Sequence, residues 1–224
     1  MRKFLPTLLF GGSCFLCRGS ARALLCAACD AELPRLASEL CPRCALPSPR
    51  GALCGRCLAQ PPHYDATVAA LAYQFPADAL VQALKFRGEL ALSTLLGGLL
   101  ADKVRAQAVD HVLPVPLSPK RLAERGYNQA AEIARHAHRG RLELSLCVRN
   151  RDTPAQAELP WAERKRNVRG AFRCTRSLFG GTVAVVDDVM TTGATLDELA
   201  ATLKRSGAER VVNWVVARTL PPND

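Results

Sequence analysis

Residues 183–195 read VAVVDDVMTTGAT, and this stretch decides the fold. Val183–Val186 is an unbroken apolar run rich in valine, the pattern of a strand buried on both faces. The strand brings Asp187 and Asp188 to its carboxyl end, and Thr191, Thr192, Gly193, Ala194 and Thr195 follow as a short turn. Thr195–Ser206 has helical spacing, and Gly207 is placed to end that helix in a left-handed conformation. The result is one strand–turn–helix unit whose polar residues sit where open α/β sheets bind ligands, at the carboxyl end of a strand.

The parts suit a sugar phosphate. Thr191, Thr192 and Thr195 offer hydroxyls, and Gly193 lets the backbone curl so that amides face one anion. The helix starting near Ala194 adds the positive field of its N-terminus. Asp187 and Asp188 can accept hydrogen bonds from two neighbouring ribose hydroxyls. A plain strand–turn–helix with a capping threonine is the competing reading. It explains Thr-Gly-x-Thr alone, but not the ordered set of buried strand, two acids, turn and helix. Walker A and Gly-x-Gly-x-x-Gly patterns are absent from the sequence.

Working outward, strands and helices alternate. Strands are expected at 67–73, 109–113, around 142–148, at 182–186 and at 210–217. Helices are expected at 77–105, broken near Gly88, and at 119–138. Residues 150–170 are polar, rich in Arg and weakly periodic, which predicts a long loop. Alternation of this kind predicts a parallel, doubly wound α/β sheet flanked by helices.

The N-terminal part is of another kind. Eight of ten cysteines fall between Cys14 and Cys57, as the pairs Cys14/Cys17, Cys26/Cys29, Cys41/Cys44 and Cys54/Cys57. Each CxxC holds one side of a tetrahedral zinc, and two pairs close a four-cysteine site. Nearly equal spacings favour two sequential structural Zn2+ sites, with a crossed arrangement still open. The segment Gln60-Pro61-Pro62 is a plausible joint, so the expected division is a Cys-rich zinc module at 1–62 and the α/β domain at 63–224. Cys147 and Cys174 lack a CxxC partner and read as buried apolar side chains.

The 224-residue chain carries a formal charge of +10, and two four-cysteine zinc sites at −2 each leave it basic, at about +6. Residues 118–176 hold 14 Lys/Arg against 6 Asp/Glu, with Arg151, Arg164, Lys165, Arg166 and Arg169 in and beside the long loop. These cations serve either a small phosphate ligand or a longer polyanion, and an ordinary solvated surface is the bland alternative. No apolar run is long enough for a membrane span. The first 23 residues loosely imitate a secretory leader, but the density of CxxC pairs fits a reducing, cytoplasmic setting better.

VVDDVMTTGAT resembles the signature of type I phosphoribosyltransferases. The CxxC-rich start, CPRC at 41–44, ALKFRG at 83–88, LPVPLSPKRLAERGYNQA at 113–130 and the Gln156 to Phe172 loop extend this to a resemblance to the ComF family of competence-associated proteins. The resemblance implies a phosphoribosyltransferase-like domain that binds phosphoribosyl pyrophosphate or a related ribose phosphate, with Mg2+ arriving on the pyrophosphate. It places the ribose hydroxyls on Asp187 and Asp188, the 5′-phosphate on Thr191 to Thr195, and pyrophosphate on the loop Pro114, Val115, Pro116, Leu117 and Ser118. It also implies handling of single-stranded DNA, alongside other DNA-uptake proteins. No residue identifies an acceptor base, so three functions compete: a DNA-uptake factor with a ribose-phosphate site, an active phosphoribosyltransferase, and a regulator that senses phosphoribosyl pyrophosphate.

Overall fold

The computed structural model describes residues 12–36, 38–151 and 168–221. The chain divides into two compact units, Met1–Leu33 and Pro34–Asp224. In the first, β1 (Gly12–Ser13) and β2 (Ser20–Ala21) pair antiparallel and α1 spans Ala27–Ala31.

The larger unit begins with a second cysteine segment containing α2 (Gly55–Ala59). It continues with β3 (Ala66–Ala72), α3 (Ala77–Phe86), α4 (Ala91–Val104), β4 (His111–Pro114), α5 (Pro119–Arg125) and α6 (Gln129–Ala137). Then come β5 (Cys147–Arg149), β6 (Phe172–Cys174), β7 (Thr182–Met190), α7 (Ala194–Arg205) and β8 (Arg210–Arg218). Four strands form one parallel sheet in the order β3-β8-β7-β4, and β5 and β6 form a separate antiparallel pair. This is the expected parallel sheet flanked by helices.

The central strands are the apolar ones. Val183, Ala184, Val185 and Val186 of β7 have no exposed surface, and neither do Val211 and Val215 of β8. One face of the sheet packs Leu196, Leu199 and Leu203 of α7 with Cys41, Cys44, Cys57 and Tyr64 from the second cysteine segment. That segment is part of the core of the larger unit, which begins at Pro34. Composition registers where cysteines stop. It does not register which unit their neighbours pack into.

Several elements differ in extent from their sequence patterns. The helix expected at 119–138 is broken at Gly126, which adopts a left-handed φ of 81° and caps α5. Asn128 then starts α6, its side-chain oxygen accepting from the Ala130 and Ala131 amides. The strand ending the apolar run is longer than its pattern: β7 carries the acidic pair within the ladder and ends at Met190, because β8 supplies partners that far. β6 lies immediately after the long loop, where three residues are too few to show a period.

Candidate functional site

β7 outruns its neighbour β4. Their ladder ends at Pro114 opposite Val186, where the Val115 amide still donates to the Val186 carbonyl at 2.9 Å. β8 continues alongside β7 as far as Met190 opposite Arg218. Asp187 and Asp188 therefore flank the point where β4 has turned away into the Pro114–Ser118 loop.

Successive strand residues face opposite sides, so the two carboxylates have different surroundings. Asp188 is 3% exposed and meets Lys85 of α3, whose Nζ lies 3.0 Å from Oδ2. Gln129 of α6 hydrogen-bonds to it as well. Burial works to raise the Asp188 pKa, but the Lys85 charge and hydrogen bond outweigh it and hold the group below the usual carboxylate range. Asp187 is partly exposed, and burial together with the charge of Asp188 pushes it well above that range, with Lys85 opposing only in part. The pair thus combines a committed acceptor with a carboxyl short of a positive partner.

The sequence motifs around the site now have physical roles. ALKFRG supplies Lys85, and the Tyr127 hydroxyl donates to the Leu84 carbonyl of the same helix. Ser118 caps α5, and the Asn128 side-chain amide donates to the Val115 carbonyl at 3.0 Å. That bond pins the loop that the resemblance assigns to pyrophosphate.

The Thr-Gly turn is fixed from below. Gly193 has φ 83°, and a Cβ there would lie 2.8 Å from Met190 Cε and 3.0 Å from the Tyr64 hydroxyl oxygen. Thr192 Oγ1 accepts from the Ala194 amide at 3.1 Å, so this hydroxyl is already engaged in the turn. Thr191, Ala194 and Thr195 keep partly exposed surfaces. Beneath them lies Arg218, 1% exposed, which donates to the carbonyls of Met190 at 2.7 Å, Thr219 at 2.9 Å, Cys44 at 2.8 Å and also Thr191. One buried guanidinium therefore joins the turn to the second cysteine segment. Lys85, Gln129 and Arg218 had no role in the sequence reading. Lys85 lay inside a quoted motif, but Arg218 carries no local signal because its partners are distant in sequence.

The cysteines gather as Cys14, Cys17, Cys26 and Cys29, and as Cys41, Cys44, Cys54 and Cys57, with each set's sulfurs within 4.8 Å of one another. The grouping is sequential, not crossed. Sγ–Sγ separations of 3.7 Å for Cys17/Cys26 and 3.6 Å for Cys44/Cys54 match an edge of about 3.8 Å in a tetrahedron with Zn–S near 2.3 Å. Each set repeats one design. The first pair sits in a knuckle closed by an amide bond to its leading cysteine's carbonyl, Arg18 to Cys14 and Ala45 to Cys41, both at 2.9 Å. Arg18 and Ala45 both have positive φ, 63° and 54°. The second pair begins a helix, with Cys26 and Cys54 as N-caps of α1 and α2. Backbone amides, that of Cys17 foremost, draw the Cys14 thiol down to about 6. At Cys41 burial works upward, but amides of Cys54, Cys44 and Arg43 prevail and bring it to about 7. The leading thiol of each set is thus favoured as thiolate, whereas a hydrogen bond with Cys26 pushes Cys29 up and burial does the same to Cys44 and Cys57. These are two zinc-binding sites of four cysteines each.

Arg151 and Arg169 meet at the base of the long loop, where Arg151 donates to the Arg169 carbonyl at 2.9 Å. Gly170 next to them donates to Glu198 of α7, also at 2.9 Å. Arg164, Lys165 and Arg166 lie outside the described residues. Among the described residues, no helix is long and apolar enough to cross a membrane.

Comparison with known proteins agrees with these features. The double zinc ribbon domain matches residues 5–58. The DNA utilization protein YhgH of Escherichia coli O6:H1 is 37% identical over 93% of this chain and 98% of its own. The chain belongs to the ComF family. Competence protein F of Haemophilus influenzae is 32% identical over 93% of the chain and 98% of its own length. Competence protein ComFC of Streptococcus pneumoniae is 24% identical over 96% of both. This ComF-family chain thus matches its relatives through both the zinc ribbons and the α/β domain.

Proposed function

We propose that this ComF-family protein binds phosphoribosyl pyrophosphate, or a related ribose phosphate, and acts in the uptake or utilisation of single-stranded DNA. The observation that carries the first part is the acidic pair at the end of β7, followed directly by the Gly193 turn into α7. Asp188, kept ionised by Lys85, accepts from one ribose hydroxyl. Asp187, which already accepts from the Asp188 amide at 2.9 Å, accepts from the second and gains there a further donor. Amides at the start of α7, with Thr191 and Thr195, hold the 5′-phosphate. Pyrophosphate lies against the loop Pro114–Ser118, and Mg2+ travels with it, held by phosphate oxygens and water.

The DNA part rests on the relatives' roles in DNA utilisation and competence and on the basic surface at Arg151, Arg169, Arg173 and Arg176. Phosphate contacts by such a surface release counterions, so affinity falls linearly with salt on logarithmic axes.

Calorimetric titration of the zinc-loaded protein with Mg2+ and phosphoribosyl pyrophosphate, followed by single-stranded DNA, tests both parts. Saturable ribose-phosphate binding that vanishes in Asp187→Ala/Asp188→Ala is expected. Wild-type binding that persists unchanged in that double variant would reject the site. DNA binding indifferent to salt and to Arg164→Ala/Arg166→Ala would reject the polyanion role.

A further inference from the structure

Cys147 and Cys174 belong to neither zinc quartet, yet the fold sets them side by side. β5 and β6 pair with Cys147 opposite Cys174, Val148 opposite Arg173 and Arg149 opposite Phe172. The Asn150 amide donates to Ala171 and the Thr175 amide to Leu146. These bonds mark the two flanking pairs as hydrogen-bonded, and strict alternation makes 147/174 a non-hydrogen-bonded pair. In such a pair the Cα atoms are about 4.5 Å apart and both side chains project to one face, which falls within the roughly 4.4–6.8 Å that a disulfide spans.

The surroundings divide the labour. Cys147 has no exposed surface, whereas Cys174 is partly exposed. Cys174 Sγ also lies 4.0 Å from the Thr202 carbonyl of α7. The hydrogen bond from Cys147, a second from Ser206 and the charge of Arg205 bring Cys174 to about 6 against the pull of burial. The same contact with Cys174, followed by burial, raises Cys147. The thiol that solvent reaches is therefore the one favoured as thiolate, which is the nucleophilic form.

We propose that Cys147 and Cys174 are a redox modification site that closes to a reversible intramolecular disulfide. The oxidant is a low-molecular-weight disulfide, RSSR. The Cys174 thiolate attacks one of its sulfurs, forming Cys174–S–SR and releasing RS−. Cys147, its proton passing to solvent or to the departing thiolate, then attacks the Cys174 sulfur and releases the second RS−. Two protein thiols and RSSR become one protein disulfide and two RSH. The crosslink fastens β5 to β6 and closes the intervening chain.

The test incubates the full-length, zinc-loaded protein with glutathione disulfide over a range of ratios to glutathione, followed by tryptic mapping without reductant. The expected product joins peptides 142–149 and 174–176, reverts with dithiothreitol and leaves zinc content unchanged. Its thermal midpoint rises by roughly 5–10 °C, as closure of a loop of this length predicts. Cys147→Ser gives a glutathione adduct on Cys174, and neither Cys147→Ser nor Cys174→Ser gives the linked peptide. The linked peptide differs in mass from any product of the zinc cysteines, so its absence from oxidised wild type overturns the proposal even if zinc is lost. A glutathione adduct on Cys174 that persists in wild type without resolving overturns it too.

Discussion

The two cysteine quartets share a sequence pattern and a local geometry but differ in what they hold up. In the first, Cys14 is buried, Cys17 is exposed and Cys26 and Cys29 are partly exposed, and among the described residues they adjoin two-residue strands and a five-residue helix that buries none of its residues. In the second, Cys41, Cys44 and Cys57 are buried in the same core cluster as Val183, Val185 and Leu199. The Cys44 carbonyl is bonded to Arg218, and the Thr67 amide and hydroxyl of β3 bond to the Pro42 and Arg43 carbonyls. A metal site with little core around it folds because metal binding free energy is its folding free energy. One set into a sheet core also shapes whatever that core supports, here the turn at Gly193.

The largest effect expected from breaking this contrast is on folding. Cys14→Ser/Cys17→Ser should lose one zinc ion of two and leave the α/β domain's cooperative unfolding intact. Cys41→Ser/Cys44→Ser should lose one zinc as well but yield insoluble or expanded protein, because a structural zinc is worth on the order of 10 kcal/mol to its fold. Metal analysis with circular dichroism decides this, and equal damage from the two variants erases the contrast.

Arg218→Met tests the link itself. Removing a buried guanidinium takes a donor from four carbonyls, of which, among the described residues, Met190 alone keeps another in the Thr219 amide, and leaving buried acceptors unpaired costs about 1–3 kcal/mol. Urea unfolding should show a lower midpoint, with ribose-phosphate binding weakened even under folding conditions.

A smaller effect attends Gly193→Ala, where the left-handed φ and the contacts with Met190 and Tyr64 together cost about 1–2 kcal/mol. Adding Tyr64→Phe removes the hydroxyl oxygen and should restore part of that loss. If the double variant is no better, Tyr64 does not carry strain from the ribbon side to the turn.

The mildest test is of pH. The folded pKa of Asp187 is raised, so folding disfavours its ionisation, and the penalty grows as pH rises from about 4 through its folded value. Asp187→Asn should therefore be about as stable as wild type at pH 4 and more stable at pH 8, by on the order of 1 kcal/mol after allowing for its open face. Asp188 has the opposite sign: its folded pKa is lowered, so its contribution is present above about pH 4 and is lost as pH falls through the folded value. Asp188→Asn should be destabilised at neutral pH, and the Asp187 carboxyl should titrate lower in it, followed by carbon NMR.

Much of this was legible in the sequence because the signals were local. VAVVDDVMTTGAT announces a buried strand, an acidic pair and a tight turn within thirteen consecutive residues. Four CxxC pairs announce zinc because ligand geometry demands that spacing. What sequence could not reach depended on residues meeting from afar. Lys85 separates the ionisation of two adjacent aspartates only because the fold brings its side chain, from α3, to Asp188 on β7. Cys147 and Cys174 read as two unrelated apolar side chains until an antiparallel register set them opposite each other. Arg218, at the far end of the sheet's last strand, ties a zinc knuckle to the Gly193 turn through carbonyls that every residue possesses. Side-chain chemistry determined which ions and ligands this chain is equipped to hold. Only the tertiary structure decided which cysteines share a metal, which carboxylate stays charged and which parts pack together, because those depend on distance and burial.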